Sequence, residues 1–224
     1  MSISDNSGHG GPRQPLADCA LCPRLRDFRQ DNRAAHPDWH NAPVASFGGV
    51  DGELLIVGLA PGLRGANKTG RPFTGDYAGD LLYACVGKFG FSTGQYGAGA
   101  GDGLVLVNCR ITNAVRCVPP ENKPVGAEVA ACRAYLSDEI QALSRLRVIL
   151  ALGTLAHGAV LAALGKKKSA YKFGHNRFHD LDDGTDGGLV LADSYHCSRY
   201  NTNTGRLTES MFELVFEGIR KRFS

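Results

Sequence analysis

The sequence contains no long hydrophobic run. A membrane-spanning helix needs about 18 consecutive apolar residues, whereas an apolar run such as Val148–Leu152 has only the length of a strand. Residues 1–15 are polar and rich in Gly, Ser and Asn, without the apolar stretch of a signal peptide. We therefore expect a cytoplasmic protein with no membrane partner and with a disordered tail at residues 1–15.

The chain also has only a small excess of positive over negative charge. The net charge is only +3, which permits a nucleic-acid partner but does not require one, because the strongest signal is a far more basic domain. Charged residues make up 21% and hydrophobic residues 43% of the chain, the balance of an ordinary globular domain. The length of 224 residues leads us to expect one sizeable α/β domain at residues 16–224.

Apolar segments of strand length alternate with segments of helical period along the chain. The predicted strands are residues 53–59, 104–108, 147–152 and 188–192, and the predicted helices are residues 76–89, 126–143, 153–164 and 207–223. This alternation predicts a mostly parallel sheet with helices on both faces. Ligands of such sheets bind beyond the carboxyl ends of the strands, so we expect the chemistry in the loops that begin at Gly58, Asn108 and Asp193.

The loop after the first strand is rich in glycine. It reads G-L-A-P-G at residues 58–62 and continues as T-G-R-P-F-T-G-D at residues 69–76. Glycines let a backbone approach a ligand and present N–H groups to it, although a plain turn has the same composition. No G-x-x-x-x-G-K-[ST] follows the strand, which excludes a P-loop.

Two side chains of this loop each have a structural and a functional interpretation. Phe73 lies between turn residues, where its ring either stacks on a flat base or anchors the loop in the core. Asp76 begins a predicted helix, where its carboxylate caps the helix, positions a water molecule, or does both. The sequence leaves these alternatives open.

His196 follows the fourth predicted strand, where its side chain can stabilise negative charge that develops on a substrate oxygen. The segment after it has no apolar period and carries hydroxyl, amide and arginine groups, which suit a loop that contacts phosphates or a DNA groove. Its candidate DNA contacts are Ser198, Arg199, Tyr200, Asn201 and Arg206. A surface turn with a structural histidine is the alternative, and it accounts less well for the two arginines.

Seven cysteines in a chain without a secretory signal indicate thiols or a metal site rather than disulfides. Cys19 and Cys22 form a C-x-x-C pair, and 14 residues separate Cys117 from Cys132. Two separated pairs suggest a four-thiolate site that holds either tetrahedral zinc or an iron–sulfur cluster. The lack of a second close pair favours iron–sulfur.

Taken together, these motifs resemble the uracil-DNA glycosylase superfamily, and most closely its family 5 (type b) branch. The resemblance spans nearly the whole chain after the tail and rests on C-A-L-C-P-R-L, G-L-A-P-G, T-G-R-P-F-T-G-D, V-R-C-V-P-P-E-N-K-P and S-Y-H-C-S-R-Y-N-T-N-T-G-R-L-T. It implies a three-layer α/β/α sandwich around a four-stranded parallel sheet. It also implies a DNA-repair enzyme that removes uracil, and hypoxanthine or other deaminated bases, from double-stranded DNA. Single-stranded DNA is a further expected substrate, and we expect a monomer that acts at the nucleoid.

The resemblance assigns catalytic roles and a cofactor to particular residues. Asp76 matches the carboxylate that supports water attack, and His196 matches the histidine of the second motif. Leu59 is apolar, as in family 5, where family 4 has an acidic residue. Cys197 departs from the apolar residue expected beside the histidine. The resemblance further implies a structural [4Fe-4S] cluster held by Cys19, Cys22, Cys117 and Cys132.

The base-binding residues follow in the same way. Phe73 matches the aromatic side chain that stacks on the base, and Asn122 matches the family-5 asparagine that contacts it. Backbone N–H groups of the loop that contains Leu59, Ala60 and Gly62 are expected to face the base. Asn113 is a departure, because it matches the base-reading asparagine of family 4. Its presence puts the range of bases that the protein accepts in question.

Two other functions are compatible with the sequence. The first is a module of the same fold that binds damaged or single-stranded DNA without turnover, which the missing carboxylate at Leu59 suggests. The second is a zinc-stabilised protein that acts on free nucleotides. Detection of an abasic product separates the first alternative from a glycosylase, and the brown colour of an iron–sulfur protein separates the second.

Overall fold

The computed structural model describes residues 11–181 and 188–223. The strands within these ranges are β1 (Leu54–Gly58), β2 (Ser92–Thr93), β3 (Val105–Leu106), β4 (Cys109–Asn113), β5 (Val148–Leu152), β6 (Arg177–Leu181) and β7 (Leu189–Ser194). The α-helices are α1 (Pro23–Ala35), α2 (Ala66–Thr69), α3 (Tyr77–Lys88), α4 (Gly126–Ala142), α5 (Thr154–Ala163), α6 (Arg199–Asn203) and α7 (Glu209–Arg220).

One five-stranded sheet forms the centre of the fold, in the order β4-β1-β5-β7-β6. Its first four strands are parallel, and β6 pairs antiparallel with β7 at the edge. Side chains of β1 alternate between two cores: Leu54 and Ile56 pack with α3 and α7, and Leu55 and Val57 pack with α4 and α5. The three-layer α/β/α prediction is therefore confirmed, and the antiparallel β6 is an addition to the four predicted parallel strands.

The second predicted strand, residues 104–108, is wrong in position. Val105 pairs only with the short strand β2, and it is 58% exposed. The strand beside β1 is β4, whose polar side chains Arg110 and Asn113 are buried. Asn108 therefore precedes the amino end of β4, away from the edge where ligands bind, and Asn113 occupies the carboxyl end.

A buried carboxylate, Glu139 on α4, joins distant parts of the chain. It accepts hydrogen bonds from Ser46 Oγ (2.6 Å), Arg116 Nη2 (2.8 Å), Gln14 Nε2 (3.1 Å) and the Arg110 guanidinium. Burial acts to raise the pKa of Glu139, but the charges of Arg116 and Arg110 and the Ser46 hydrogen bond hold it below its ordinary value. Glu139 is therefore an ionised group inside the protein.

Of the predicted tail, residues 1–10 lie outside the described residues. Gln14 belongs to the described part and contacts Glu139, so the segment before residue 16 packs on the domain at this point. None of the described helices is long and apolar enough to cross a membrane.

Candidate active site

A cavity of about 740 Å³ opens beyond the carboxyl ends of β1, β4 and β7. This is the edge of a parallel sheet at which ligands are expected. Ten of the predicted site residues line it: Leu59, Ala60, Gly62, Phe73, Asp76, Asn113, Asn122, His196, Ser198 and Arg199. The structure thus brings the predicted catalytic and base-binding residues together in one pocket.

The deepest polar group of the pocket is the side chain of Asn113, at the end of β4. Asn113 is 3% exposed, and its Oδ1 is buried without a hydrogen-bond partner among the described residues. A Cβ placed on Gly58 would lie 2.4 Å from this oxygen, so only glycine leaves room for it. A buried carbonyl oxygen without a partner costs free energy, which marks Asn113 as a group that awaits a donor from a ligand.

Phe73 is both a core residue and a lining residue of the pocket. Its ring is 7% exposed and belongs to the core that contains α3, yet it also lines the pocket, with its centroid 6.1 Å from that of the His196 ring. Its backbone has a φ of 52°, a strained conformation for an aromatic residue. The neighbouring residues hold it: Tyr83 Oη donates to Pro72 O at 2.7 Å, and Arg71 forms a buried ion pair with Asp102.

Asp76 also serves two purposes. It is the N-cap of α3, where its Oδ1 accepts a hydrogen bond from Gly79 N at 3.1 Å. Its Oδ2 faces the glycine loop, because a Cβ on Gly65 would lie 2.4 Å and one on Gly62 3.0 Å from this oxygen. Among the described residues that line the pocket, Asp76 is the only carboxylate.

His196 stands two residues beyond β7, on the pocket wall. Burial lowers its pKa, against the opposing effect of the Asp76 charge, so the imidazole is held neutral near pH 7. Asn201 Nδ2 donates to His196 O at 2.8 Å and fixes the backbone. The unexpected Cys197 is fully buried and donates from Sγ to Ala78 O at 3.4 Å, so this thiol connects the loop to α3.

The predicted DNA-binding segment contains a short helix, α6, at the pocket rim. Ser198 is its N-cap and accepts from Asn201 N at 3.4 Å. The Arg199 guanidinium lies 5.4 Å from the centroid of the Tyr77 ring. Tyr200 does not line the pocket and is 72% exposed. The rim therefore presents a cation and an aromatic ring to solvent.

Asn201 and Arg206 lie outside this pocket and line an adjoining cavity of about 300 Å³. Leu59 and His196 belong to both cavities, so the two are neighbours. The Arg206 guanidinium lies 4.7 Å from the centroid of the Tyr195 ring. The predicted DNA contacts thus spread over a surface wider than the pocket itself.

Two lining residues with polar side chains were not predicted from the sequence. Arg64 lies in the glycine loop and adds a cation to the pocket lining that also contains the Asp76 carboxylate, and Tyr77 is the first residue of α3. An arginine in a loop that follows a buried strand was the available signal for Arg64. Tyr77 had no such signal, since its contact with Arg199 joins residues far apart in sequence.

The four predicted metal ligands come together at a separate small cavity beside α1. All are free thiols that line it: Cys19, Cys22, Cys117 and Cys132. No three of these sulfur atoms lie within 4.8 Å of one another in this part of the described chain, whereas tetrahedral zinc with Zn–S bonds of about 2.3 Å brings its sulfur ligands to about 3.8 Å. The spacing suits a group wider than one zinc ion.

Comparisons with known proteins agree with the fold. Residues 45–220 match the family model of the uracil DNA glycosylase superfamily, and the chain belongs to this superfamily. Within it, the chain is 44% identical to the type-5 uracil-DNA glycosylase of Thermus thermophilus, over 92% of this chain and 95% of that protein. It is 38% identical to the type-5 enzyme of Mycobacterium bovis (91% and 77% covered) and 37% identical to that of Pyrobaculum aerophilum (89% and 87%). The family predicted from the motifs is confirmed.

Proposed function

We propose that this protein removes uracil from DNA by hydrolysis of the N-glycosidic bond, which leaves an abasic site for repair. The observation that carries the proposal is the buried Oδ1 of Asn113, which has no hydrogen-bond partner in the described ranges and lies in a pocket that also contains Asp76 and His196. The N3–H and O4 groups of uracil match the acceptor and donor of an asparagine amide. Cytosine presents the opposite pattern at these positions. The names of the type-5 relatives agree with this substrate.

The base has to leave the helix before it can enter the pocket. Extrusion of a nucleotide costs a few kcal/mol, and least for a mispaired base such as uracil opposite guanine. The cavity of about 740 Å³ accepts the base and its sugar. Double-stranded DNA is the proposed substrate, and single strands are a further one because they need no unpairing. The proposed active species is a monomer.

Asp76 is proposed to orient the attacking water and to stabilise the sugar as positive charge develops on it. Its Oδ1 is held by Gly79 N, which leaves Oδ2 directed towards the glycine loop of the pocket. Leu59 offers no carboxylate in its place. A fixed carboxylate near a developing cation lowers the energy of the transition state.

His196 and backbone N–H groups of residues 59–62 are proposed to stabilise the departing base as an anion. The neutral imidazole can donate one N–H to a base oxygen. Such a donor is worth about 3 kcal/mol in the transition state. The Phe73 ring stacks on the base, and Asn122, whose Oδ1 accepts from Leu63 N at 3.4 Å, contacts it from the rim.

We further propose that the four cysteines hold a [4Fe-4S] cluster. Three observations on the described residues support this assignment: the four cysteines converge at one cavity, no three of their sulfur atoms lie within 4.8 Å of one another, and the Arg29 guanidinium contacts Cys117. When bound, the cluster would cross-link the segment before α1 to Cys117, between β4 and α4, and to Cys132 on α4, a structural function. Asn122 lies between Cys117 and Cys132, so the cluster would also fix the pocket rim.

The test is single-turnover cleavage of a labelled duplex with one U·G pair, followed by alkali that breaks abasic sites. A cut at the uracil position, absent from a matched duplex with C·G, is the expected result. DNA binding without a cut at uracil or hypoxanthine would overturn the proposal in favour of a binding module. A second series with hypoxanthine and other deaminated bases then measures the range that Asn113 permits.

A further inference from the structure

One buried arginine has an unusual set of partners. Arg29, on α1, is 2% exposed and lines the cysteine cavity. Its Nη1 donates to Cys117 Sγ at 3.4 Å, and its Nη2 donates to Cys19 O at 2.8 Å. Its Nε is buried and has no hydrogen-bond partner among the described residues. Two of the four thiol-bearing residues are thus the only hydrogen-bond partners of its guanidinium within the described ranges.

Each of the other buried arginines forms an ion pair with a carboxylate. Arg71 pairs with Asp102 at 2.6 Å, and Arg116 pairs with Glu139 at 2.8 Å. Arg110 also pairs with Glu139. No carboxylate of the described residues lies within 4.0 Å of the Arg29 guanidinium. A buried cation without an anionic partner is strongly unfavourable. Asp18 interacts with the Arg29 charge, which helps to lower the pKa of that carboxyl, but it forms no ion pair with Arg29 within 4.0 Å. A direct anionic partner for Arg29 would therefore lie in the cysteine cavity.

We propose that Arg29 is the counter-charge of a metal centre held by the four cysteines, and that its charge sets the reduction potential of that centre and retains it in the protein. The inference rests on the proposed cluster. Ligating cysteines are thiolates, so four of them give the centre a net negative charge. The Arg29 cation offsets part of this charge, and its N–H donates to one of the sulfur atoms.

Two consequences follow from this position. Net charge and hydrogen bonds to the sulfur atoms tune the potential of iron–sulfur clusters, so loss of the Arg29 charge makes the cluster harder to reduce. Loss of the charge also leaves the thiolates without their buried cation, which weakens retention of iron. Both effects concern the metal centre itself and do not require a change in the base pocket.

The experiment compares the wild-type holoprotein with three variants. Arg29→Gln removes the charge and keeps an N–H donor, and Arg29→Lys keeps the charge without the planar fork. Arg26→Gln is the matched control, because Arg26 lies on the same helix, is partly exposed and pairs with Asp27 at 2.7 Å. Iron per chain, the visible absorption band, the reduction potential from a spectroscopic redox titration, and the rate of bleaching by a chelator are measured.

For Arg29→Gln we expect a more negative potential, fewer iron atoms per chain and at least twofold faster bleaching. Arg26→Gln and Arg29→Lys should keep the iron content and the potential of the wild type. If Arg29→Gln matches Arg26→Gln in all four measurements, the inference about Arg29 is overturned and the proposal of a cluster is unaffected. If wild-type protein contains no iron, the cluster proposal itself fails. If Arg29→Gln does not fold, Arg29→Lys provides the test. This variant keeps the positive charge, so loss of iron from it would overturn the role of the charge.

Discussion

The ring of Phe73 and the side-chain oxygen of Asn113 lie against the same face of Gly58. A Cβ at position 58 would be 2.4 Å from Phe73 Cζ and 2.4 Å from Asn113 Oδ1. Because Gly58 has no side chain, the Phe73 ring and the Asn113 amide can approach each other at the end of β1. We propose that this ring stacks on the base and that this amide reads it. This relationship makes the glycine a determinant of pocket geometry.

The variant Gly58→Ala tests this relationship. The new methyl group must push either Phe73 or Asn113 aside, and a displacement of about 1 Å from productive geometry costs on the order of 10²-fold in rate. We expect that loss in single-turnover excision of uracil, with DNA binding retained. Gly126→Ala at the start of α4 is the control, because a Cβ there meets nothing within 4 Å. Equal rates for the two variants would contradict the prediction.

Asp76→Asn separates the chemical role of Asp76 from its structural one. Asparagine is as good an N-cap as aspartate, so α3 and the melting temperature should be unchanged. The loss of the negative charge should reduce the single-turnover rate by about 10²–10³-fold. Asp80→Asn, an exposed change in the first turn of the same helix, should have the wild-type rate. A wild-type rate for Asp76→Asn would remove this residue from the mechanism.

The two asparagines of the pocket should contribute unequally. Asn113 Oδ1 is buried without a partner, whereas Asn122 is exposed and its Oδ1 accepts from Leu63 N at 3.4 Å. Asn113→Ala should therefore cost about 1–3 kcal/mol in uracil excision, the value of a bidentate contact to a base edge, and Asn122→Ala should cost less. Rates on uracil and hypoxanthine measure both. An unchanged rate for Asn122→Ala on both bases would place Asn122 outside the site.

The arginines of the rim should contact phosphates. Arg199→Ala and Arg206→Ala are expected to weaken DNA binding and to make its salt dependence shallower, by about 0.9 in the slope of log K against log salt for each lost phosphate contact. Fluorescence anisotropy over a series of salt concentrations measures the slope. Lys221→Ala, at the end of α7, removes a charge elsewhere on the surface. A slope that stays at the wild-type value would argue against contact.

A buried network below His196 predicts a pH dependence of stability. Asp193 is fully buried and accepts from His157 Nδ1 at 2.7 Å and from His179 Nε2 at 3.0 Å. The other nitrogen of His157 lies 2.8 Å from Tyr171 O. Both ring nitrogens of His157 face acceptors, which favours the protonated imidazolium. Burial acts to lower the pKa of His157, but the hydrogen bond and charge of Asp193 outweigh it and hold the pKa above its ordinary value.

Because the pKa of His157 is raised on folding, the protonated side chain stabilises the native state. This contribution is fully present below about pH 6.5 and is lost as the pH rises through the folded-state pKa. Urea unfolding between pH 6 and 9 should show a decline in the free energy of unfolding. The decline should be smaller in His157→Gln, which does not titrate. Parallel curves for the two proteins would refute the prediction.

The sequence predicted the strands that are apolar and missed those that are polar. β1, β5 and β7 are buried on both faces and consist mainly of apolar residues, which makes them visible as runs. β4 is equally buried but contains Arg110 and Asn113. Burial of Arg110 depends on Glu139, 29 residues away, and such a partner cannot be found from local pattern. β6 was missed because it is a half-exposed edge strand.

The site was predictable where strand ends and motifs coincide. The loops after β1 and β7 were expected to carry chemistry, and they supply Asp76 and His196 to one pocket. Tyr200 was predicted as a DNA contact from its position after His196. It is 72% exposed and does not line the pocket, so its contact with DNA stays a prediction. Arg29 had no signal at all, because its importance comes from a thiol 88 residues away.

The carboxylate of Glu139 has a consequence for folding kinetics. Its partner Gln14 is 125 residues away in sequence and Ser46 is 93 residues away. Contacts of such long range form slowly, because the loops between them must close first. The Glu139 carboxylate can become buried only after these segments have packed around it. We therefore expect its hydrogen-bond network to form late in folding. Interactions that form late mainly slow unfolding. We therefore expect Glu139 to affect the unfolding rate of the protein more than its folding rate.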